Sequence, residues 1–144
     1  MKVFKFQPPY KPNGRTNFPE MQKRSGVYLI KENGKLTYVG YSGTDLYKTV
    51  YRHFQYWSPR EYKNGRAIPA QYRVTYKNKL KTHSYTVRII YCTPGQAQRL
   101  EKLLIKKHKP RDNDFKYDSY ELDFNDNRTY QIYQDTIPLS EVPF

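Results

Sequence analysis

The sequence predicts an α+β fold: a small, mainly antiparallel β-sheet flanked by helices. Three observations carry that prediction. Gly26-Val27-Tyr28 and Tyr38-Val39-Gly40 stand on either side of Asn33-Gly34, and Asn-Gly readily takes the positive φ angles of a type I′ hairpin turn. The run Tyr85-Thr86-Val87-Arg88-Ile89-Ile90-Tyr91 is rich in β-branched and aromatic residues, which suit a pleated, half-buried surface. Two further segments, about 45–56 and from Pro94 to about His108, carry apolar residues at three- and four-residue steps, the period of one helix face.

Taken in order, residues 1–24 read as an irregular lead-in, broken by Pro8-Pro9 and Asn13-Gly14, with a short strand at Val3–Phe6. Residues 26–31 and 36–41 form the hairpin, and the glycines at its ends admit the close approach of another backbone or a phosphate. Ser42-Gly43-Thr44 turns the chain, and Thr44 or Asp45 caps a first helix on which Leu46, Val50 and Phe54 share a face. Ser58-Pro59 ends it. Residues 58–70 read as a basic loop containing Asn64-Gly65. Tyr72–Tyr76 and Tyr85–Tyr91, joined across 77–83, read as a second hairpin. Thr93 and Pro94 open the second helix, with Pro in its first turn; Ala97, Leu100, Leu103 and Leu104 continue it and Pro110 stops it. The folded unit spans 25–116. Residues 117–144 form an acidic tail in which only Tyr130–Tyr133 suggests a strand.

The chain carries a formal net charge of +13 and 16 tyrosines in 144 residues. Lysine and arginine neutralise phosphates and tyrosine stacks or hydrogen-bonds, so this is the composition of a nucleic-acid binder. The charge is unevenly divided. Residues 1–111 hold 24 of the 26 cationic side chains and 5 of the 13 acidic ones, a net of +19, and residues 112–144 a net of −6. The tail either keeps the protein soluble or folds back over the basic face. Lys48, Arg60, Lys63, Arg66, Arg73 and Arg111 are the cations expected to hold nucleic acid. The single cysteine, Cys92, excludes an internal disulfide framework and suits a reducing, cytoplasmic setting. Three scattered histidines give no zinc-finger spacing. No stretch reaches membrane-spanning length, and the start of the chain is too polar for a signal peptide.

The two tripeptides of the first hairpin, Gly26-Val27-Tyr28 and Tyr38-Val39-Gly40, resemble those that define the GIY-YIG nucleases, with Val in place of Ile in both. The resemblance extends along residues 25–116. His53 stands in the first helix, Glu101 in a Leu100-Glu101-Lys102 context on the second, and Asn113 a dozen residues later in Pro110-Arg111-Asp112-Asn113. The resemblance implies a metal-dependent DNA endonuclease. Tyr28 would be the general base, Tyr38 would position water or phosphate, and His53 would relay a proton or hold a phosphate oxygen. Glu101 would bind Mg²⁺ or Mn²⁺, and Asn113 would close the motif set.

One position departs from the family. Its first-helix arginine, four residues before the histidine, is Thr49 here. Arg52, one turn further on, is the expected replacement, because its planar fork grips phosphate oxygens bidentately; Lys48 is the other cation nearby. The departure leaves two readings open: an active endonuclease with a displaced arginine, or a catalytically degenerate DNA-binding module of the same fold. A phenol has an unperturbed pKa of about 10, so a general-base Tyr28 is expected to need nearby positive charge from Lys48, Arg52 or the metal.

Overall fold

The Asn33-Gly34 turn sets the near end of the first hairpin, and a bulge between Ile30 and Lys31 shifts the register beyond it. Asn33 and Gly34 take positive φ, 50° and 81°, so the chain reverses in two residues and pairs β2 (Gly26–Glu32) with β3 (Lys35–Ser42). The computed structural model describes residues 2–55, 60–63, 66–69 and 74–113, the segments 60–63 and 66–69 by their backbone alone. Among these, β1 (Lys2–Val3) and β6 (Tyr85–Tyr91) complete a four-stranded antiparallel sheet of order β1-β6-β2-β3. A separate antiparallel pair is formed by β4 (Arg60–Lys63) and β5 (Arg66–Pro69). The helices are α1 (Leu46–Arg52) and α2 (Pro94–His108). The fold is thus a small α+β one.

Side chains divide between the two faces of the sheet by strand alternation. Tyr28 and Ile30 of β2 with Val87 and Ile89 of β6 build one core with Leu46, Val50 and Phe54. Val27, Leu29, Val39 and Ile90 build the other with Leu100, Leu103 and Leu104 of α2. Central β2 and β6 therefore face a core on both sides, which is why the 85–91 run carries apolar residues at both parities.

Three expectations are corrected. The partner of Tyr85–Tyr91 is β2, paired from Gly26↔Tyr91 to Glu32↔Tyr85, not Tyr72–Tyr76; residues 74–76 are irregular. The second hairpin lies instead inside the expected basic loop, where β4 and β5 flank the Asn64-Gly65 dipeptide. The same turn chemistry that marked the first hairpin was present there. The first helix also ends at Arg52 rather than near 56. The backbone carbonyl of His53 there accepts from Tyr76 N at 2.7 Å, so the 74–76 stretch lies against the helix end. By contrast α2 follows its sequence signals. Thr93 and Gln96 form a reciprocal capping box, Pro94 opens the first turn, and Lys109 closes the helix in a left-handed conformation, φ 44°.

The lead-in is pinned to the sheet. Lys2 and Val3 pair with Tyr91 and Ile90, and Gln7 bridges to Val87. Met21 is fully buried, and Phe4, Tyr10 and Phe18 pack on the core around it. The suggested strand at 130–133 and the acidic tail lie outside the described residues. Among the described residues no helix is long and apolar enough to cross a membrane.

Both hairpin glycines are required by contact. Gly26 lies against β6, and a Cβ there would fall on the carbonyl oxygen of Ile90. Gly40 is the cross-strand partner of Tyr28, and a Cβ there would fall on the Tyr28 hydroxyl. The phenol ring therefore lies across Gly40 toward the β3 edge of the sheet. Gly40→Ala must displace it, and overpacking of this kind costs about 1–3 kcal/mol. We expect Gly40→Ala to lower the melting temperature in a thermal denaturation series, and to lower it less in a Tyr28→Leu background, where the obstructing hydroxyl is gone.

Candidate active site

Tyr28 sits at the centre of the site. It is buried, and its hydroxyl lies 2.7 Å from Nε2 of His53. The other ring nitrogen, Nδ1, lies 2.8 Å from the Val74 carbonyl oxygen. A carbonyl only accepts, so Nδ1 carries the proton. Burial lowers the His53 pKa to about 4, with the Val74 hydrogen bond opposing, so the ring is neutral near pH 7 and Nε2 is a lone-pair acceptor. The tautomer is thus assigned by hydrogen bonding: Tyr28 donates to His53, and His53 donates to Val74.

Tyr38 joins them from β3. Its ring is 4.5 Å from that of His53 and stacks on Tyr28 at 6.0 Å between centroids. Glu101 is brought in from α2, which packs against β3 and β2. It is 1% exposed, and its charge is close enough to raise the Tyr28 pKa. Its Oε2 is buried without a hydrogen bond, although the residue has other interactions. Tyr28, Tyr38 and His53 thus meet in one place, drawn from β2, β3 and the end of α1, and Glu101, on α2, is near enough for its charge to act on Tyr28.

The electrostatics of Tyr28 differ from the expectation. Burial first, then Tyr38 and Glu101, push its pKa well above the ordinary phenol value. The largest influences on it among the described residues all raise it, and its hydroxyl already has an acceptor in Nε2 of His53.

Asn113 braces the site and does not point into it. Its Nδ2 donates to the Val39 carbonyl at 2.8 Å and its Oδ1 accepts from Val39 N at 3.0 Å. The side-chain amide thereby pairs with the β3 backbone as a neighbouring strand would, and holds the residue that follows Tyr38. Asp112, beside it, accepts from the Tyr76 hydroxyl at 2.8 Å. Tyr76 in turn donates its backbone N–H to the His53 carbonyl, so one buried tyrosine ties the His53 end of the site to the Asn113 end.

Arg111 was expected on the nucleic-acid surface. Its guanidinium instead bonds Asp112 through two nitrogens at 2.9 and 3.0 Å and pairs with Glu32 at 2.8 Å. Burial alone would raise the Glu32 pKa, but hydrogen bonds from Tyr85 and Arg111 overcome this and hold it at about 2. Arg111 remains exposed, with its charge shared between two carboxylates of the same chain. Val74, Tyr76, Asp112 and Glu32 were not legible as site residues. Val74 acts through its backbone carbonyl, which no side-chain identity reports. Tyr76 is one tyrosine among 16.

Lys48 and Arg52 are exposed on α1. At about 100° per residue, Arg52 falls about 60° to one side of Thr49 and His53 about 40° to the other. Thr49 turns its hydroxyl back to the Asp45 carbonyl at 3.0 Å, so it presents no donor to the site from that atom. Arg60, Lys63 and Arg66 lie on the β4–β5 pair, with Lys63 and Arg66 directly opposite; Arg73 lies outside the described residues. Cys92 is a free, half-buried thiol whose pKa burial raises to about 11, so it is protonated and unreactive near neutrality.

Among the described residues no group of three His, Cys, Asp or Glu side chains could together hold a metal ion. The carboxylate of Glu101 is 1% exposed, and its Oε2 makes no hydrogen bond among those residues. Comparison with protein-family models, curated proteins and solved structures finds no match.

Proposed function

We propose that this protein is a metal-dependent DNA endonuclease of the GIY-YIG type, hydrolysing phosphodiester bonds at the Tyr28–Tyr38–His53–Glu101 site. The observation that carries this reading is the Tyr28–His53 hydrogen bond with its tautomer fixed by Val74, set beside a buried acidic residue in a strongly basic chain. Tyr28 takes a proton from water as its own passes to Nε2 of His53. The hydroxide so formed attacks phosphorus in line with the departing oxygen. Tyr38 orients the water or a phosphate oxygen, and Arg52 neutralises charge on the scissile phosphate. Glu101 would hold Mg²⁺ or Mn²⁺, which when bound supplies Lewis-acid stabilisation of the phosphate and the leaving oxygen.

A plasmid-nicking assay with and without Mg²⁺ tests the reading. Metal-dependent conversion of supercoiled to nicked or linear DNA is expected; absence of cleavage with either Mg²⁺ or Mn²⁺ overturns it. The second reading, a DNA-binding module that has lost catalysis, is favoured by Thr49, which leaves no cation at that helix position. Arg52 decides between them. Arg52→Ala should cost about 10²-fold or more in rate, the scale for removing a preorganised charge-stabilising donor, while Lys48→Ala should weaken DNA binding with little change in turnover. Normal cleavage by Arg52→Ala with a dead Lys48→Ala would reverse the assignment.

A further inference from the structure

A cavity of about 360 Å³ opens between the N-terminal segment and β6. Its floor is Val87 and Ile89, and its walls include the half-buried rings of Phe4 and Phe18. Lys5 and Lys11, both exposed, line it, and among the described residues no acidic side chain does. Neither lysine is ion-paired among the described residues. Gln7 and Asn17 also line it, and their side-chain amides make no hydrogen bond among those residues. The segment that forms this wall is held in place through its backbone, by the Gln7–Val87 exchange at 2.8 and 3.0 Å and by Asn17 N to the Pro9 carbonyl at 2.9 Å.

We propose that this cavity is a nucleotide-binding pocket, separate from the cleavage site. The size matches small-ligand pockets, which are lined mostly by apolar and aromatic groups with a few polar ones that fix orientation. Aromatic rings offer stacking, worth about 1–3 kcal/mol per base. Amides that carry both donor and acceptor suit the hydrogen-bonding edge of a base. The two lysines, facing no acid among the described residues, complement a phosphate. An uncharged metabolite would leave those cations unused.

The pocket shares a sheet face with the proposed catalytic tyrosine. Ile89 is the cross-strand partner of Tyr28, but the phenol points the other way, over Gly40 of β3. Two strand spacings of about 4.8 Å separate β6 from β3, so the two sites lie roughly 10 Å apart or more. That is about three nucleotide rises of 3.4 Å. The occupant is therefore either a free mononucleotide or one unstacked nucleotide of a bound strand.

The test is a titration of the full chain in EDTA, so that no cleavage intervenes, followed by backbone amide NMR. The probes are AMP and TMP, adenosine, inorganic phosphate, and an oligothymidylate. Shifts confined to residues 4–7, 17–19 and 87–89 are expected with the nucleotides, with adenosine and phosphate each binding at least tenfold more weakly. Lys5→Glu combined with Lys11→Glu, both exposed and outside the core, should weaken nucleotide binding about tenfold or more while circular dichroism stays unchanged. Gln7→Ala should change the preference between AMP and TMP. Tighter filling by the oligothymidylate assigns the pocket to a strand; filling by mononucleotides alone assigns it to a free nucleotide. Equal shifts from inorganic phosphate, no shifts at these residues, or undiminished binding by the double variant would overturn the proposal. None of these readouts depends on catalysis, so failure of the endonuclease reading leaves the test intact.

Discussion

Glu101→Gln should abolish cleavage and leave DNA affinity equal or slightly raised. The substitution keeps the shape of a side chain that is 1% exposed and removes its charge. A metal held there stabilises transition-state charge by several kcal/mol, and each ~1.4 kcal/mol is tenfold in rate, so turnover should fall by about 10³-fold or more. Binding should move the other way, because a negative charge near the phosphate is lost. Plasmid nicking across a range of Mg²⁺, read beside a binding isotherm at fixed salt, separates the two effects. The carboxylate also raises the Tyr28 pKa, so its removal makes the phenol a better acid. A metal-binding loss and an easier Tyr28 ionisation therefore predict opposite changes in rate. Full activity in Glu101→Gln would show that the carboxylate holds no catalytic metal.

The parts of this fold that rest on local chemistry were legible in advance. Asn33-Gly34 gave the β2–β3 hairpin, and Thr93, Pro94 and Pro110 bounded α2, because turn and cap preferences act through a few neighbouring residues. What misled was pairing. The Tyr85–Tyr91 strand was identifiable, but with Thr86 and Arg88 on its second face only Ile90 pointed to its central position. A reading by proximity along the chain assigned it to 72–76. The site follows the same division. Tyr28, Tyr38, His53 and Glu101 were singled out by motif; the fold puts the first three side by side and the charge of Glu101 within reach of Tyr28. What surrounds them is set by tertiary contact: the Val74 carbonyl that fixes the His53 tautomer, the pairing of Asn113 with Val39, and the burial that raises the Tyr28 pKa. Sequence offered cations as the means of ionising Tyr28, since charge can be counted along a chain. The arrangement supplies a neutral hydrogen-bond acceptor, which cannot.

That acceptor makes Tyr28→Phe the most discriminating variant. Phenylalanine keeps the ring over Gly40 and removes only the hydroxyl, so folding should survive. His53 Nε2 is then buried without its donor, which costs about 1–3 kcal/mol and should appear as a lowered melting temperature. Loss of a positioned general base costs about 10²–10⁴-fold in rate. The pH dependence gives a second, independent readout. Burial holds the His53 pKa at about 4, below its ordinary 6.5. A histidine with a depressed native pKa binds protons more readily when unfolded. Its contribution to stability is therefore complete above about pH 6.5 and is lost progressively as pH falls toward 4. Within the native state the ring stays neutral over that window, so Nε2 remains an acceptor and cleavage should not fall off with an apparent pKa near 6.5. Ring ¹⁵N NMR should show the Nδ1–H tautomer for His53 and titration near pH 4 in the wild type. A His53 ring already protonated at pH 6, or a Tyr28→Phe variant cutting within twofold of wild type, would remove Tyr28 and His53 from the proton path.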